Sequence, residues 1–396
     1  MFASLLAWLF YLINPLTNLS LRPIQPQLRL RPDYPSFGPW EDIITGVYGK
    51  PPMLKIHDRK GVVKWTWDRS DVHQKLPRQL EHCLKSKAND ATEIKWTRNG
   101  TSIAAIYSDL VLLINHTPDN ATTDKQITWA VCRQNEFLWN AHAIEPIPGD
   151  RVAVATTGQR AWDGILIYNA SAANPLVDDP PVLQNITGLR AIHNMVWDDS
   201  EQMLWAAGTD YAADGSDNVP AHGTLQAYPY NATTGLLEVD DSLRFSLPEA
   251  RDQMTEWGAE YGWWAGPHDL VPVPDQRIFL FSDDRDLHAF DITRRQFTEE
   301  GEAVVDKYLP GFQVTTNDRR GYNSQGMWEV LPRSDLKSFS LAPDGSFIYV
   351  QSNWRGFRGF HTNLVVDKLR RKINEGDEIY RSRFFGDIPG WRKPVT

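Results

Sequence analysis

The amino-acid sequence predicts an all-β protein. Short runs of apolar and β-branched residues alternate with turn residues along the body of the chain, and this spacing is typical of strands. Sustained helical periodicity is nearly absent, and the best helical candidate is VVDKLRRKINEGDEI, residues 365–379. With 396 residues, 41% of them hydrophobic and 23% charged, the chain can bury a large core.

A unit of two strands joined by a turn recurs along the chain, with starts roughly 45 to 75 residues apart, close to the ~40–50 residues of a propeller blade. The copies read EIKWTRNGTSIAAIYSD from Glu93, AIEPIPGDRVAVATTG from Ala143, NMVWDDSEQMLWAAGTD from Asn194, DLVPVPDQRIFLFSDD from Asp269 and SFSLAPDGSFIYVQSN from Ser338. The repeat therefore predicts a β-propeller.

Runs at both ends of the body supply further strands: DIITGVYGKPPMLKIHD and VVKWTWD at the front, and YRSRFFGDI at the back. Six blades can be counted in this way. We expect seven, the last one coming from the long interval between His193 and His268 or from strands shared by the termini. The alternative fold is a pair of β-sandwiches.

The amino-terminal region divides into two segments before the body, residues 41–396, which we expect to form a single propeller domain. Residues 1–20 include an apolar run that is too short to span a membrane but suits a signal peptide. Residues 21–40 are rich in Pro and Arg, which predicts an extended arm.

Glycosylation acceptors of the N-x-[S/T] type are dense in this chain and favour a secretory route. Besides Asn18, they are Asn99, Asn115, Asn120, Asn169, Asn185 and Asn231. The only cysteines are Cys83 and Cys132. In an oxidising compartment we expect one disulfide between them rather than two buried thiols.

The charge balance argues against a nucleic-acid partner, because a net charge of −9 leaves no general basic surface for phosphates. Sixteen Trp and thirteen Tyr instead allow some aromatic side chains to stack on sugar rings, although most will belong to the core. We expect an extracellular monomer that is not attached to a membrane after processing.

Three histidines occupy one place in the repeated frame, just ahead of or at the start of its first strand. They are His142, His193 and His268, and Lys337 stands at the same place in a fourth copy. The innermost strands of a propeller line its central channel, so equivalent positions converge there. Neutral imidazoles that meet at one point form a metal site or a catalytic cluster; the alternative is that each histidine only bonds a neighbouring loop.

Cationic and polar groups suited to an anionic substrate surround this frame. Arg160 follows the second strand of the His142 repeat, and NDRRGYNSQGMWEV places Arg319, Arg320, Tyr322 and Gln325 on a loop over the channel. His222 and His288 lie outside the repeated position and are expected to be structural. The sequence has no G-x-S-x-G elbow, phosphate loop or H-E-x-x-H motif.

The series NAHAIEPIPGDRVAVA, IHNMVWDDSEQMLWAAG, PHDLVPVPDQRIFLFS and LKSFSLAPDG resembles secreted fungal and bacterial seven-bladed propellers that include rhamnose-glucuronate lyase. The resemblance spans about residues 93–352. It departs from the common pattern at His193, which is followed by Asn194 rather than Gly. More distantly the arrangement is similar to that of oligogalacturonate lyase, in which channel histidines hold a divalent metal.

The resemblance implies β-elimination on an acidic plant-type polysaccharide that contains a uronic acid. Such an enzyme neutralises the carboxylate, removes the C5 proton and assists the leaving O4. Arg160, Arg320 and Gln325 would bind substrate. A histidine, Tyr322 or Lys337 would act as base. If His142, His193 and His268 instead hold a divalent metal, Ca²⁺ or Mn²⁺, Tyr322 would be the base. The alternatives are a non-catalytic glycan- or protein-binding propeller and a propeller hydrolase or lactonase.

Overall fold

The computed structural model describes residues 40–49, 51–132, 138, 140–157, 163–171, 173–210, 222–247, 267–315, 319–322, 327–352 and 358–391. All of them fall in one compact unit, Ser36–Thr396. The predicted signal segment, residues 1–20, and the predicted arm up to residue 39 lie outside the described residues. The first described strand begins at Asp42.

The fold is a β-propeller with six blades in the described residues, each a small antiparallel sheet. The outer strands of the first blade are β1 (Asp42–Val47), β2 (Met53–Asp58) and β3 (Val63–Trp67). The second blade is formed by β4 (Ala91–Thr97), β5 (Ser102–Tyr107), β6 (Leu110–Asn115) and β7 (Ile127–Cys132). The third blade is formed by β8 (Ala141–Ile147), β9 (Arg151–Thr156), β10 (Gly164–Asn169) and β11 (Val182–Thr187).

The remaining blades follow the same order from the channel outwards. The fourth is formed by β12 (Arg190–Asp198), β13 (Met203–Thr209), β14 (Gly223–Asn231), β15 (Leu236–Leu237) and β16 (Arg244–Ser246). The fifth is formed by β17 (Asp269–Pro272), β18 (Ile278–Ser282), β19 (Leu287–Asp291) and β20 (Gln296–Glu300). After a two-strand sheet, β21 (Arg320–Tyr322) and β22 (Trp328–Val330), the sixth is formed by β23 (Leu336–Leu341), β24 (Phe347–Gln351), β25 (Thr362–Val366) and β26 (Leu369–Ile373).

The ring is closed by strands from both ends of the chain. The last strand, β27 (Ile379–Phe384), pairs with β1 and becomes the innermost strand of the first blade. Neighbouring innermost strands are in contact all the way round, from β27 through β4, β8, β12, β17 and β23 back to β27.

The expected seventh blade was therefore wrong, whereas the six blades counted from the repeat are confirmed. The shared termini complete one of these six blades instead of adding another. The long interval between His193 and His268 supplies the outer strands β13–β16 of the fourth blade, and its residues 211–221 and 248–266 lie outside the described part of the chain.

The core consists of apolar clusters that lie between neighbouring blades. One such cluster fills each of the six interfaces. Between the sixth and first blades, for example, Ile348 and Leu364 pack with Ile43 and Phe384. Each innermost strand thus packs one face against the preceding blade and the other face against the following blade. This arrangement fixes the register of the strands that line the channel.

Two helices lie outside the blades: α1 (Arg78–Lys87) and α2 (Glu302–Tyr308). Leu80, Cys83 and Leu84 bury one face of α1 in the core between the first two blades. The predicted disulfide is confirmed, because Cys83 on α1 is bonded to Cys132 at the end of β7. None of the described helices is long and apolar enough to cross a membrane.

The helix predicted over residues 365–379 was wrong, because this stretch forms the hairpin of β25 and β26. Asp367 and Lys368 at its tip have φ values of 51° and 65°. Two consecutive positive φ values match the two-residue turn that joins antiparallel strands. The basic residues of β26 are largely on an exposed outer edge, where charge discourages pairing with another chain.

Candidate functional site

The candidate site lies where the innermost strands begin, and it arises from irregular strand pairing. In β4, β8, β23 and β27 one residue near the start is extra relative to the partner strand. His193 lies in a longer irregularity of β12, and His268 immediately precedes β17. A bulge of this kind redirects a side chain out of the regular ladder. The resulting ring consists of Thr92, His142, His193, His268, Lys337 and Tyr380.

Five of the ring side chains form a continuous series of contacts that runs from Tyr380 through the three histidines to Lys337. The ring centroids of His142 and His193 are 5.0 Å apart, and those of His193 and His268 are 5.1 Å apart. Tyr380 lies on the other side of His142, at 5.5 Å. Lys337 Nζ is 2.8 Å from His268 Nε2. The three histidines and the lysine that share one sequence frame therefore meet in space.

Two of the imidazoles are held in one tautomer. His142 Nδ1 donates to the carbonyl of Asn140 at 3.0 Å, and His193 Nδ1 donates to the carbonyl of Ala191 at 2.8 Å. Burial lowers the pKa of His142 to about 3. Burial, together with the neighbouring histidines, lowers the pKa of His193 well below its usual value. Both rings are therefore neutral, and each Nε2 carries a lone pair.

His268 belongs to a buried ion-pair network at the edge of the ring. Its Nε2 lies 2.7 Å from Asp284 Oδ1. Arg319 Nη1 lies 3.2 Å from Asp284 Oδ1 and 3.1 Å from Asp335 Oδ1, and Lys337 Nζ is 3.5 Å from the same Asp335 oxygen. Burial opposes the ionisation of Asp284, but His268 and Arg319 outweigh it and hold the pKa of that carboxyl well below its usual value.

The same network contains the donor set best suited to a cation in the described part of the chain. Ligand atoms of His268, Asp284 and Asp335 lie within 4.8 Å of one another, and His268 Nδ1 and Asp335 Oδ2 are buried without a hydrogen-bond partner among the described residues. This set shares only His268 with the three histidines predicted as metal ligands. Because Lys337 and Arg319 already neutralise both carboxylates, these residues do not fit a divalent cation while Lys337 is protonated.

A second ion-pair network closes the channel beneath the ring. Arg383 Nη2 lies 3.0 Å from Glu93 Oε2 and 3.1 Å from Asp269 Oδ1. Arg381 Nη1 is 3.3 Å from Asp269 Oδ1, and its other terminal nitrogen donates to the carbonyl of His193 at 3.0 Å. Burial opposes the ionisation of Glu93, but the two arginines lower its pKa overall. We call these four residues the plug.

The remaining predicted site residues are not part of the ring. Arg320 is exposed on β21, whereas its neighbour Arg319 is buried in the network of His268. Tyr322 has its backbone in β21, but its side chain, like Arg160 and Gln325, lies outside the described residues. As expected, His222 and His288 lie outside the ring, where they pair with Asp210 and Asp283, respectively.

Sequence reasoning missed Tyr380 and Thr92, although both stand in the repeated frame. ATEIKW and IYRSRF align with AHAIEP and LKSFSL, and the strand alignment could have identified both residues. Asp284 and Asp335 were also missed. They lie outside the strands, and their proximity to His268 depends on how two blades pack.

No model of a known protein family and no curated protein matches this chain. A protein of unknown function from Bacteroides caccae is 10% identical, with a TM-score of 0.46 over 87% of this chain and 98% of that one. Hydrazine synthase from Kuenenia stuttgartiensis is 10% identical, with a TM-score of 0.45 over 82% and 80% of the two chains. A functionally unknown protein from Desulfotomaculum acetoxidans is 15% identical, with a TM-score of 0.39 over 66% and 68%. In its described residues the chain is a six-bladed β-propeller, and five of the six side chains in the ring of its channel are ionisable.

Proposed function

We propose that this protein is a polysaccharide lyase that cleaves a uronic-acid-containing glycan of the rhamnose-glucuronate type by β-elimination. The observation that carries the proposal is the ring, which brings neutral imidazoles, an ammonium group and a phenol into contact at one level of the channel. β-Elimination needs a base for the C5 proton, a cation for the uronate carboxylate and a proton donor for the leaving O4.

His193 is the base in this proposal, with His142 beside it. Its Nδ1 is committed to the carbonyl of Ala191, so the Nε2 lone pair is available for the C5 proton. His268 is less suitable, because its Nε2 already faces both Asp284 and Lys337. The neutral state that burial imposes on His193 is the state in which an imidazole can accept a proton.

The charge balance explains why an acidic substrate would make this imidazole more basic. Two basic and two acidic side chains make up the plug, and Arg319 and Lys337 balance Asp284 and Asp335 at the edge of the ring. A bound uronate therefore adds one negative charge to two networks that are otherwise balanced. A negative charge beside the ring raises the imidazole pKa towards the working pH.

Lys337 and Tyr380 take the two remaining roles. Burial lowers the pKa of Lys337 against the attraction of Asp335, and an incoming carboxylate favours its charged form, which neutralises that carboxylate as the C5 proton leaves. Burial raises the pKa of the Tyr380 phenol far above its usual value. Tyr380 therefore keeps its proton at neutral pH and can donate it to the departing O4.

The proposal places the enzyme outside the cell as a monomer that acts on acidic plant-type polysaccharides. Two features support a secretory route. The chain carries a disulfide, and bonds of this kind persist mainly in oxidising compartments. Of the described acceptor asparagines, Asn99, Asn120, Asn169 and Asn185 are exposed, and Asn115 and Asn231 are partly exposed.

The experiment is an assay of unsaturated uronate formation, followed by ultraviolet absorbance, with gum arabic, pectin fragments and glucuronan as substrates. We expect His193→Gln to lower the rate by about 10²–10⁴-fold, the usual contribution of a general base. His116→Gln is the matched control, since His116 is also buried and donates Nδ1 to a backbone carbonyl, that of Gly100, but packs against Trp65 and Phe385 away from the ring. No absorbance change with any substrate, or equal rates for the two variants, would overturn the proposal.

A further inference from the structure

A second cleft lies at the end of the channel opposite the ring. The chain after β27 crosses this end, where the Asp199 amide donates to the Trp391 carbonyl at 3.0 Å and the Asp275 amide donates to the Pro389 carbonyl at 2.9 Å. A cleft that is open to solvent lies between this crossing segment and the ends of the innermost strands. The plug separates it from the ring.

The cleft has aromatic walls and a charged floor. Its lining includes Trp40, Trp96, Trp197, Trp391, Lys95 and Arg383. Trp197 and Trp391 are buried and direct their indole N–H groups to Asp199 and to the carbonyl of Val273. Trp40 and Trp96 are partly exposed, so part of their surface is available to a ligand. Aromatic walls with a few fixed polar groups are the usual composition of a small-molecule site.

Both cations on the floor retain hydrogen-bonding capacity. Lys95 Nζ donates to Glu145 Oε2 at 2.8 Å and to the Met195 carbonyl at 2.5 Å, which uses two of its three N–H groups. Arg383 makes four hydrogen bonds to Glu93 and Asp269, which uses four of its five. One donor on each side chain is therefore left without an acceptor among the described residues.

The charges on this floor select for an uncharged ligand. Lys95 is paired with Glu145, and the arginines of the plug are paired with its two acids. An anion would add an uncompensated charge to a partly buried site, whereas a hydroxyl oxygen can accept from the two remaining donors without that cost. Sugar rings combine such hydroxyl groups with apolar C–H faces that pack on indole rings.

We propose that this cleft is a second binding site, which takes a neutral saccharide residue. It is independent of the elimination chemistry proposed for the ring, because the plug lies between the two sites. This site would give a role to some of the many tryptophans of the chain, none of which belongs to the ring. A ligand held here would leave the ring free to act on an acidic residue of the same or another glycan.

The test is a titration of the full chain with D-galactose, L-arabinose, L-rhamnose and sodium glucuronate, followed by tryptophan fluorescence and by calorimetry. Val196→Trp fills the cleft from β12, where Val196 is a partly exposed lining residue. Trp328→Ala is the control for loss of an exposed indole far along the chain on β22. Melting temperatures of all variants verify that they are folded.

We expect at least one neutral sugar to bind saturably, and any glucuronate binding to be insensitive to changes in this cleft. Val196→Trp should weaken that binding by at least about tenfold, with Trp328→Ala unchanged and with lyase activity retained in both. The proposal is overturned if no neutral sugar binds, if Val196→Trp weakens glucuronate binding as much as it weakens neutral-sugar binding, or if the folded Val196→Trp variant binds neutral sugars like the unaltered protein. Lyase activity is scored separately, so failure at this cleft is distinct from failure at the ring.

Discussion

Replacing Lys337 by methionine removes the ammonium group from the ring while keeping a side chain of similar length. Lys337 is 2% exposed, and its Nζ lies 2.8 Å from His268 Nε2 and 3.5 Å from Asp335 Oδ1. If this cation neutralises the uronate carboxylate, its loss should lower the rate by about 10²–10³-fold, the usual cost of removing one electrostatic contact to developing charge.

The same change should leave the protein folded. At 3.5 Å and an effective dielectric constant of about 20, the attraction between Lys337 and Asp335 is about 5 kcal/mol. Burying the ammonium group costs several kcal/mol, which offsets most of that attraction. Burial and, after it, Lys337 lower the pKa of His268, so removal of Lys337 lets the imidazole take up a proton more readily and restore the charge balance. Because Arg319 remains paired with Asp335, we expect the free energy of unfolding to fall by less than the roughly 3–5 kcal/mol that removal of one partner of a buried ion pair usually costs.

The assay combines initial rates of unsaturated uronate formation with urea denaturation. Lys307→Met serves as the control, because Lys307 is 52% exposed and pairs with Glu299 on the outside of the fifth blade. It should leave the rate unchanged and alter stability by less than about 1 kcal/mol. A folded Lys337→Met variant that keeps its rate within about threefold of the unaltered protein would refute the role assigned to Lys337.

Two further predictions concern stability. Because the folded pKa of His142 is lowered to about 3, the unfolded chain binds a proton there that the folded ring does not, so stability is lost as the pH falls from about 6.5 towards 3. When the free energy of unfolding is measured by urea denaturation at several pH values, His142→Gln should reduce its slope against pH in that window by up to about 1.4 kcal/mol per pH unit. An unchanged slope would contradict the lowered pKa. Replacing Cys83 and Cys132 by serine removes a disulfide between residues that are 49 apart in the sequence. The loss should lower the free energy of unfolding by about 4 kcal/mol. A variant as stable as the unaltered protein would show that the disulfide contributes nothing to stability.

Because of the repeat, the first two strands of most blades could be predicted from the sequence. Each predicted pair of strands corresponds to the first two strands of a blade, from β4 and β5 to β23 and β24. Alternating apolar residues around a tight turn are a local signal, and a propeller repeats that signal. Blade number was harder, because it depends on whether the terminal strands share a sheet, and that is a property of ring closure.

Local patterns misled where a turn or a loop decided the outcome. The charged stretch around Asp367 and Lys368 resembles a helix in composition, but two residues with positive φ convert it into a hairpin. The opposite error was α1, whose buried Leu80, Cys83 and Leu84 follow helical spacing and could have been identified.

The candidate site was predictable only where it follows the repeat. The frame identified His142, His193, His268 and Lys337, because each blade places the same strand position at the channel. Asp284 and Asp335 lie at strand ends in different blades, so no spacing in the sequence relates them to His268. Their role in holding the pKa values of the site depends on how the blades pack.

The most direct test of the proposed elimination is the mass of the product that carries the uronate as its new non-reducing end, after cleavage of a glucuronate-containing glycan. β-Elimination leaves a C4–C5 double bond, so the product is lighter by one water molecule than the product of hydrolysis. We expect the unaltered protein to give the lighter, unsaturated product and His193→Gln to give almost none. A saturated product would contradict elimination and favour a hydrolase, and the absence of any product would favour a propeller that only binds.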